Sequence, residues 1–197
     1  MNNYTFALYW YFLLFGLASQ VSAFHKDTIK IALVGGSGRS SLVDRFVKDK
    51  FNRLAPATIG YDFASTRVEI DEKSYKLIMW YSSNHPNFKP HQIETLKEAH
   101  AVLIAIDLSG NEKIENILHW AKEAERNAAN NCPIIVVGTK CDLNANEEYM
   151  SRHKGIKELC EANKLPFFDT SSKNNININE VFMMAAIEAK KRYDIPQ

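Results

Sequence analysis

Strand and helix signals alternate along the chain from Thr28 onward, and this alternation constrains the fold more than any other feature. Short apolar runs rich in β-branched residues are typical of buried strands, and they lie at 29–34, 101–106 and 133–137. A hairpin is predicted over 62–70 and 73–80, and a further short strand over 166–168. Apolar residues at helical spacing lie at 40–50, 114–121, 147–162 and 179–192. The pattern predicts an α/β fold with a doubly wound, mostly parallel six-stranded sheet and helices on both faces.

The composition excludes several classes of protein. Hydrophobic residues make up 46% of the 197 residues and charged residues 24%, as in a globular domain with one core. The net charge of +1 provides no strong field for a polyanion, so no nucleic-acid partner is predicted. The three cysteines, Cys132, Cys141 and Cys160, match neither a disulfide framework nor the spacing of a zinc site.

Residues 1–24 form an N-terminal hydrophobic segment that precedes the predicted domain. Its apolar run at 6–18 is short for a membrane span and typical of a signal peptide or signal anchor. Val21-Ser22-Ala23 provides a small-residue cleavage site. The alternatives are an extension that packs on the domain and a misassigned start codon. The segment predicts a membrane-associated or secretory location, with membrane contact through residues 6–18.

Ligands of a doubly wound sheet bind at the carboxyl ends of the strands, so the loops after the strands are the candidate site. The first of these loops reads Gly35-Gly36-Ser37-Gly38-Arg39-Ser40-Ser41. It is similar to the phosphate-binding pattern G-x-x-x-x-G-K-[ST], whose backbone N–H groups surround phosphates. It is two residues shorter than that pattern and has Arg39 in place of the lysine. This loop alone leaves phosphate binding and an ordinary glycine-rich turn equally open.

Two further loops predict recognition of guanine. The run Thr139-Lys140-Cys141-Asp142 follows the strand at 133–137, and the Asp142 carboxylate can accept hydrogen bonds from N1–H and the 2-amino group of guanine. Adenine lacks this pair of donors, so the geometry selects guanine. After the next strand, Ser171, Ser172 and Lys173 form a polar loop in which a backbone N–H can bind the guanine O6. An ordinary charged or polar loop is the alternative interpretation of each.

Together these motifs resemble those of the Rab branch of small GTPases. The resemblance covers about 29–192: 140–143 is similar to the end of N-K-C-D-L, 170–173 to T-S-A-K, 58–63 to T-I-G-V-D-F and 76–80 to K-L-Q-I-W. It implies a P-loop small G domain over 28–193 that binds GTP or GDP with Mg²⁺ and hydrolyses GTP. It also implies protein effectors and a role in membrane trafficking, with the cytoplasmic face of endomembranes as an alternative location.

The resemblance also assigns roles to single residues. Ser40 and Thr58 correspond to the protein ligands of Mg²⁺. Phe51 corresponds to the aromatic residue that stacks on guanine, and a place in the core at the end of a helix is its alternative role. Phe63 and Trp80 correspond to aromatic positions through which Rab proteins contact effectors, and a place in the strand core is their alternative role.

The segment after Trp80 departs from the family pattern D-T-A-G-Q-E. Tyr81 replaces the aspartate that holds Mg²⁺ through water, and His85 stands where a glutamine orients the attacking water. His85 is a candidate general base, with a surface histidine as the alternative, and we assign no other catalytic residue. Three hypotheses follow. We favour a guanine nucleotide-binding switch or binding module with weak or absent hydrolysis; the others are an active GTPase with an altered switch II, and a nucleotide-free interaction scaffold.

Overall fold

The computed structural model describes residues 27–56, 58–83, 89–110, 112–129, 131–143 and 146–193. The strands within them are β1 Thr28–Gly35, β2 Tyr61–Ile70, β3 Lys73–Ser82, β4 Ala101–Asp107, β5 Ile134–Thr139 and β6 Phe167–Asp169. The helices are α1 Arg39–Lys48, α2 Lys89–Lys97, α3 Asn116–Asn127, α4 Glu147–Ala162 and α5 Ile178–Tyr193. Every predicted strand and helix is present, with ends that differ from the predicted ones by several residues at most.

The described strands form one six-stranded sheet in the order β2-β3-β1-β4-β5-β6. The pair β2–β3 is antiparallel, and the other four pairs are parallel. Asp71 and Glu72 join β2 to β3 with positive φ angles of 50° and 62°, as a two-residue hairpin turn requires. The predicted α/β fold with a doubly wound, mostly parallel sheet is confirmed.

Helices cover both faces of the sheet because its central strands are apolar on both sides. All seven residues of β4 are buried. On one face α1 and α5 pack against the sheet, and the stacked rings of Phe46 and Phe182 lie 4.3 Å apart. On the other face α3 and α4 contribute Trp120 and Ile156 to the core. This packing leaves the carboxyl ends of the parallel strands at one edge, where the candidate loops lie.

Helix α2 was not predicted, because its buried face is largely polar. Gln92 and Thr95 are buried beside Leu96, so no apolar stripe at helical spacing marks this segment. Both polar side chains donate a hydrogen bond to a nearby backbone carbonyl oxygen, whereas Gln92 Oε1 is buried with no partner in the described part of the chain. Gln92 Nε2 donates to the Ser83 carbonyl oxygen at 3.1 Å, and Thr95 Oγ1 donates to the Gln92 carbonyl oxygen at 2.7 Å. Pro90 lies in the first turn, where a missing N–H does no harm.

Two of the predicted features lie outside the described residues. They are the N-terminal hydrophobic segment 1–24, with its apolar run at 6–18, and His85. Within the part of the chain that the structure describes, no helix combines the length and the apolar character needed to cross a bilayer.

Candidate functional site

A cavity of about 400 Å³ lies at the carboxyl edge of the sheet. The predicted residues that line it are Gly38, Ser40, Ser41, Phe51, Thr139, Lys140, Asp142, Ser172 and Lys173. The loop after α1 completes the wall with Asn52, Arg53, Ala55 and Pro56. The structure therefore brings the three predicted loops together around one concave site, as expected for the ligand site of a doubly wound sheet.

The Asp142 carboxylate is held in a defined orientation at the wall of this cavity. Its side chain is only 7% exposed, and Oδ1 accepts a hydrogen bond from Ser171 Oγ at 2.6 Å. Ser171 Oγ in turn accepts from the Asn174 N–H at 3.0 Å. Lys173 Nζ lies 3.8 Å from Asp142 Oδ2. Ser171 itself does not line the cavity, so it acts from behind by positioning Asp142.

Side-chain to backbone hydrogen bonds tie the loops of the site to one another. Thr139 Oγ1 donates to the Ser37 carbonyl oxygen at 3.0 Å, which joins the loop after β5 to the loop after β1. Arg45 Nε of α1 donates to the Ser172 carbonyl oxygen at 2.7 Å, which joins that helix to the loop after β6. The cavity wall is thus a connected unit, although its residues are far apart in sequence.

Asp107, the last residue of β4, is the most heavily hydrogen-bonded carboxylate of the site. It accepts from Ser37 Oγ at 2.8 Å, from the Ser109 N–H and hydroxyl at 2.9 and 2.8 Å, and from Lys140 Nζ at 2.5 Å. Burial by itself raises the pKa of this carboxyl, but the hydrogen bonds from Lys140, Ser109 and Ser37 outweigh burial and hold its pKa below the usual value. Asp107 therefore stays ionised and holds Lys140 toward β4.

The loop after β1 is pressed against the backbone of β4. Gly35 has a φ of +90°, and a methyl group at its α carbon would lie 2.5 Å from the Ala105 carbonyl oxygen. The Gly36 N–H donates to the same carbonyl oxygen at 2.7 Å. Only glycine fits at position 35. One N–H group of the predicted phosphate loop is thus committed to the fold.

A second carboxylate, Glu112, lies directly against this loop. Its Oε1 accepts the Ser37 N–H at 3.3 Å, and a methyl group at Gly36 would overlap the carboxylate. Burial raises the pKa of Glu112, as does the nearby charge of Asp107, whereas the Ser37 N–H and the charges of Arg152 and Arg39 lower it. An acid of the protein itself therefore occupies a backbone donor that the phosphate-loop motif offers to a ligand.

Arg39 points into the fold and does not line the cavity. It is only 4% exposed, and its Nη1 donates to the Leu33 carbonyl oxygen of β1 at 3.4 Å. Burial lowers the pKa of this guanidinium to about 10, and the nearby Glu112 acts in the opposite direction. The residue that replaces the family lysine thus packs beneath the loop.

The two residues predicted to hold Mg²⁺ differ in their relation to the cavity. Ser40 lines the cavity, whereas Thr58 is half-buried and lies outside its wall. At the position of the family aspartate, Tyr81 is 7% exposed and its hydroxyl donates to Asp62 Oδ2 at 3.2 Å. Burial raises the pKa of Tyr81, and the Asp62 carboxylate raises it further, so the phenol stays neutral. Among the described residues, no group of three or more His, Cys, Asp or Glu side chains is placed to hold a metal ion.

The two predicted effector residues are neighbours on the outer strands. Phe63 and Trp80 pair across the β2–β3 register. Phe63 is 61% exposed, so it is not part of the strand core. Trp80 is half-buried, with Lys30 Nζ 5.2 Å from the centroid of its ring. Ile59, at 90% exposure, adds a further apolar side chain to the surface that precedes β2.

Asp107 and Glu112 were missed in the sequence. The sequence position of Asp107 could have identified it as a site residue, because a polar residue that ends a buried parallel strand lies at the ligand edge of the sheet. No sequence pattern identifies Glu112, because its contact with the loop after β1 depends on how that shortened loop and the segment before α3 approach each other. Ser171 is predicted to bind guanine as part of a loop whose backbone N–H reaches the base; in the structure its side chain lies behind Asp142 and does not line the cavity.

A sequence model of the Ras family matches residues 30–191, most of the fold described above. Together with the loops around the cavity, this match shows that the chain belongs to the Ras family of small GTPases. The chain is 34% identical to Ras-related protein RABE1d of Arabidopsis thaliana over 166 residues, which cover 83% of this chain and 76% of that protein. It is therefore a Rab-type member of the family.

Proteins of this family bind GTP or GDP with Mg²⁺, and the residues of this chain fit only part of that ligand. The cavity, the oriented Asp142 carboxylate and Phe51 fit a guanine base. The region around the phosphate loop fits Mg²⁺-bound phosphates poorly, because Glu112 lies against the loop, Arg39 is buried and Tyr81 brings no carboxylate. The residues of the base half thus fit the family ligand, whereas those of the phosphate half depart from it.

Proposed function

We propose that this Rab-type domain is a guanine nucleotide-binding switch or binding module that holds GTP or GDP weakly and hydrolyses GTP little or not at all. The observation that carries the proposal is the oriented Asp142 carboxylate at the wall of a cavity of about 400 Å³. A carboxylate in this setting accepts the N1–H and 2-amino donors of guanine together, and it repels the ring nitrogen that adenine presents instead.

The contacts of the loop after β1 support the part of the proposal that gives the phosphates a small share in binding. The family lysine is replaced by the buried Arg39, and the donors of Ser37 are directed to Asp107 and Glu112. Catalysis of phosphoryl transfer depends on positioned cations and donors around the transferred group. With Tyr81 hydrogen-bonded to Asp62 and no catalytic base in the described part of the site, hydrolysis has little support.

Calorimetric titration of the full chain with GDP, GTP and ATP, each with and without Mg²⁺, tests the proposal. We expect micromolar or weaker binding of GDP and GTP, little effect of Mg²⁺ and no binding of ATP. The Asp142→Asn variant should lower the affinity for GDP at least about tenfold, because hydrogen bonds to a charged group are worth about 1.5–3 kcal/mol. Asp71→Asn makes the same change in the β2–β3 turn, far from the cavity, and should have no effect. Equal binding of all three nucleotides, or of none, would end the proposal.

A single-turnover assay tests the hydrolysis part separately. With enzyme in excess over labelled GTP, we expect phosphate release at the rate of GTP in buffer. Release that is faster than in buffer and is suppressed by Asp142→Asn would instead support an active GTPase with an altered switch II. The guanine-binding part of the proposal does not depend on this outcome.

The surface around Phe63 and Trp80 supports a protein effector as the partner of the module. Large exposed apolar side chains that cluster on one face of a soluble domain mark interaction sites. Replacement of Phe63 by serine should abolish effector capture without lowering the melting temperature, because the side chain is 61% exposed. The same change at Tyr75, which is buried, provides the contrast of a destabilised fold. Capture that is unaffected by Phe63→Ser would exclude this surface.

The place of the module in membrane trafficking rests on its Rab-type membership. The apolar run at 6–18 supports membrane contact or entry into the secretory pathway. Mass spectrometry of the N-terminus of the purified protein, together with cell fractionation, tests this part. An intact N-terminus on a protein found only in the soluble fraction would rule it out.

A further inference from the structure

A contact that the proposed function leaves without a role lies between Glu112 and the loop after β1. The Ser37 N–H donates to Glu112 Oε1 at 3.3 Å, and a methyl group at Gly36 would lie 2.2 Å from Glu112 Oε2, so the carboxylate is in close contact with the loop. The Ser37 hydroxyl and Lys140 Nζ meanwhile donate to Asp107 at 2.8 and 2.5 Å. Two carboxylates of the protein thus accept three donors at the phosphate side of the site.

From this arrangement we infer that Glu112 is a built-in anion that occupies the phosphate loop, so that the site selects a guanine nucleoside and gains little from the phosphates of a nucleotide. The inference rests on the proposed function, because it deepens the identity of the ligand in the same cavity. The backbone N–H groups that surround phosphates in this motif can donate to any anion. A carboxylate that is held beside them therefore competes with an incoming phosphate. The incoming phosphate is also repelled by the two acids.

The base side of the cavity has no such competitor among the described residues that line it. Phe51, Asp142 and Lys173 line the cavity, whereas Glu112 is not part of its wall. Ser171 Oγ donates to Asp142 Oδ1 from behind at 2.6 Å, and Lys173 Nζ lies 3.8 Å from Oδ2, so the carboxylate is oriented and faced by a cation but by no second acid among the described residues of the wall. Recognition of the base and exclusion of the outer phosphates are thus carried by separate residues, and they can be tested separately.

Calorimetric titration of the full chain with guanosine and with GDP, at constant salt, tests the inference. We expect GDP to bind no more than about threefold more tightly than guanosine, because the extra contacts of the phosphates are offset by repulsion from fixed acids. A larger preference for GDP overturns the inference and leaves the proposed function standing. Failure of both guanine ligands to bind overturns both.

The Glu112→Gln variant isolates the charge. Glutamine is nearly isosteric with glutamate, so the fold is retained, and equal melting temperatures of variant and parent verify this. Removal of the charge should raise the affinity for GDP at least about tenfold and leave the affinity for guanosine unchanged. Glu115→Gln removes the same charge three residues away, at an exposed position before α3, and should change neither affinity. An unchanged affinity of Glu112→Gln for GDP would refute the role of Glu112, whatever the parent prefers.

Discussion

Replacement of Asp107 by asparagine should destabilise the domain far more than a single surface charge does. The Asp107 side chain is 8% exposed and accepts hydrogen bonds from Ser37, Ser109 and Lys140. An asparagine amide can still accept from Ser109 through its oxygen, but its NH₂ group would face the donors of Ser37 and Lys140. Two hydrogen bonds to a charged acceptor are therefore lost.

The expected loss in the free energy of unfolding of Asp107→Asn follows from the solvent exposure of the hydrogen-bond partners of Asp107. A hydrogen bond to a charged group contributes about 1.5–3 kcal/mol, and solvent screening places a partly exposed pair at the low end. Lys140 is 41% exposed, so solvent screening weakens its hydrogen bond to Asp107. The two lost hydrogen bonds together therefore contribute about 2–3 kcal/mol. For a domain of this size that loss lowers the melting temperature by about 4–12 °C.

The effect has a defined pH dependence. The folded-state pKa of Asp107 lies below the unfolded value of about 3.9. Its contribution is therefore present in full above the unfolded pKa and is lost as pH falls through the folded pKa. The difference between parent and variant should be constant from about pH 5 to about pH 8 and should shrink below about pH 4.

Chemical denaturation followed by circular dichroism measures this difference in the free energy of unfolding. The matched control is Asp44→Asn, which removes an exposed partner of Lys48 one helical turn away on α1 and should cost less than about 1 kcal/mol. If Asp107→Asn and Asp44→Asn had equal effects, the hydrogen-bond network at the end of β4 would not have the weight assigned to it. A difference that grows below pH 4 would also contradict the sign argued above.

Three further substitutions test the site and the fold. Asp142→Asn should shift the preference of the site from guanine to xanthine nucleosides, because an amide donates to a 2-oxo group where the carboxylate accepted from a 2-amino group; competition between the two nucleosides measures it. Phe51→Ala should weaken guanosine binding at least about fivefold through lost base stacking, with little change in melting temperature because the ring is 37% exposed. Gly35→Ala should destabilise the domain by at least about 1–3 kcal/mol in denaturant titrations, because a methyl group collides with the Ala105 carbonyl oxygen and φ is +90°; an unchanged midpoint would mean that the loop yields freely.

The sequence predicts the sheet well because two signals identify each strand: an apolar run and the turn or loop that follows it. Apolar runs such as 101–106 are buried on both faces, and each is followed by a turn or a loop at the ligand edge. The Asp71-Glu72 turn is equally clear, since two residues between alternating segments leave one geometry for the hairpin. Helix α2 is not predicted because its buried residues Gln92 and Thr95 are polar. Helical periodicity in a sequence is detected only from the spacing of apolar residues.

The candidate site could be predicted as a set of loops but not as a set of contacts. The residues from Thr139 to Asp142 lie on the cavity because a parallel sheet delivers the loop after β5 to that edge. Whether Arg39 enters the cavity or the core depends on the path of a loop two residues shorter than its pattern, and no periodicity encodes that path. The contact of Glu112 with the same loop depends on that path too, so neither feature could be predicted from the sequence.

The phosphate half and the base half of the site are held by separate elements. A shorter loop still carries backbone N–H groups and a serine hydroxyl, and buried polar groups must be satisfied. Asp107 and Glu112 satisfy those of Ser37, at the cost of placing negative charge where a nucleotide brings its own. Asp142 lies in the loop after β5 and is held by Ser171 from the loop after β6, and neither of these residues belongs to the loop after β1. This physical separation of the two halves is the basis of the proposed function, in which the domain loses its hold on phosphate and keeps its selectivity for guanine.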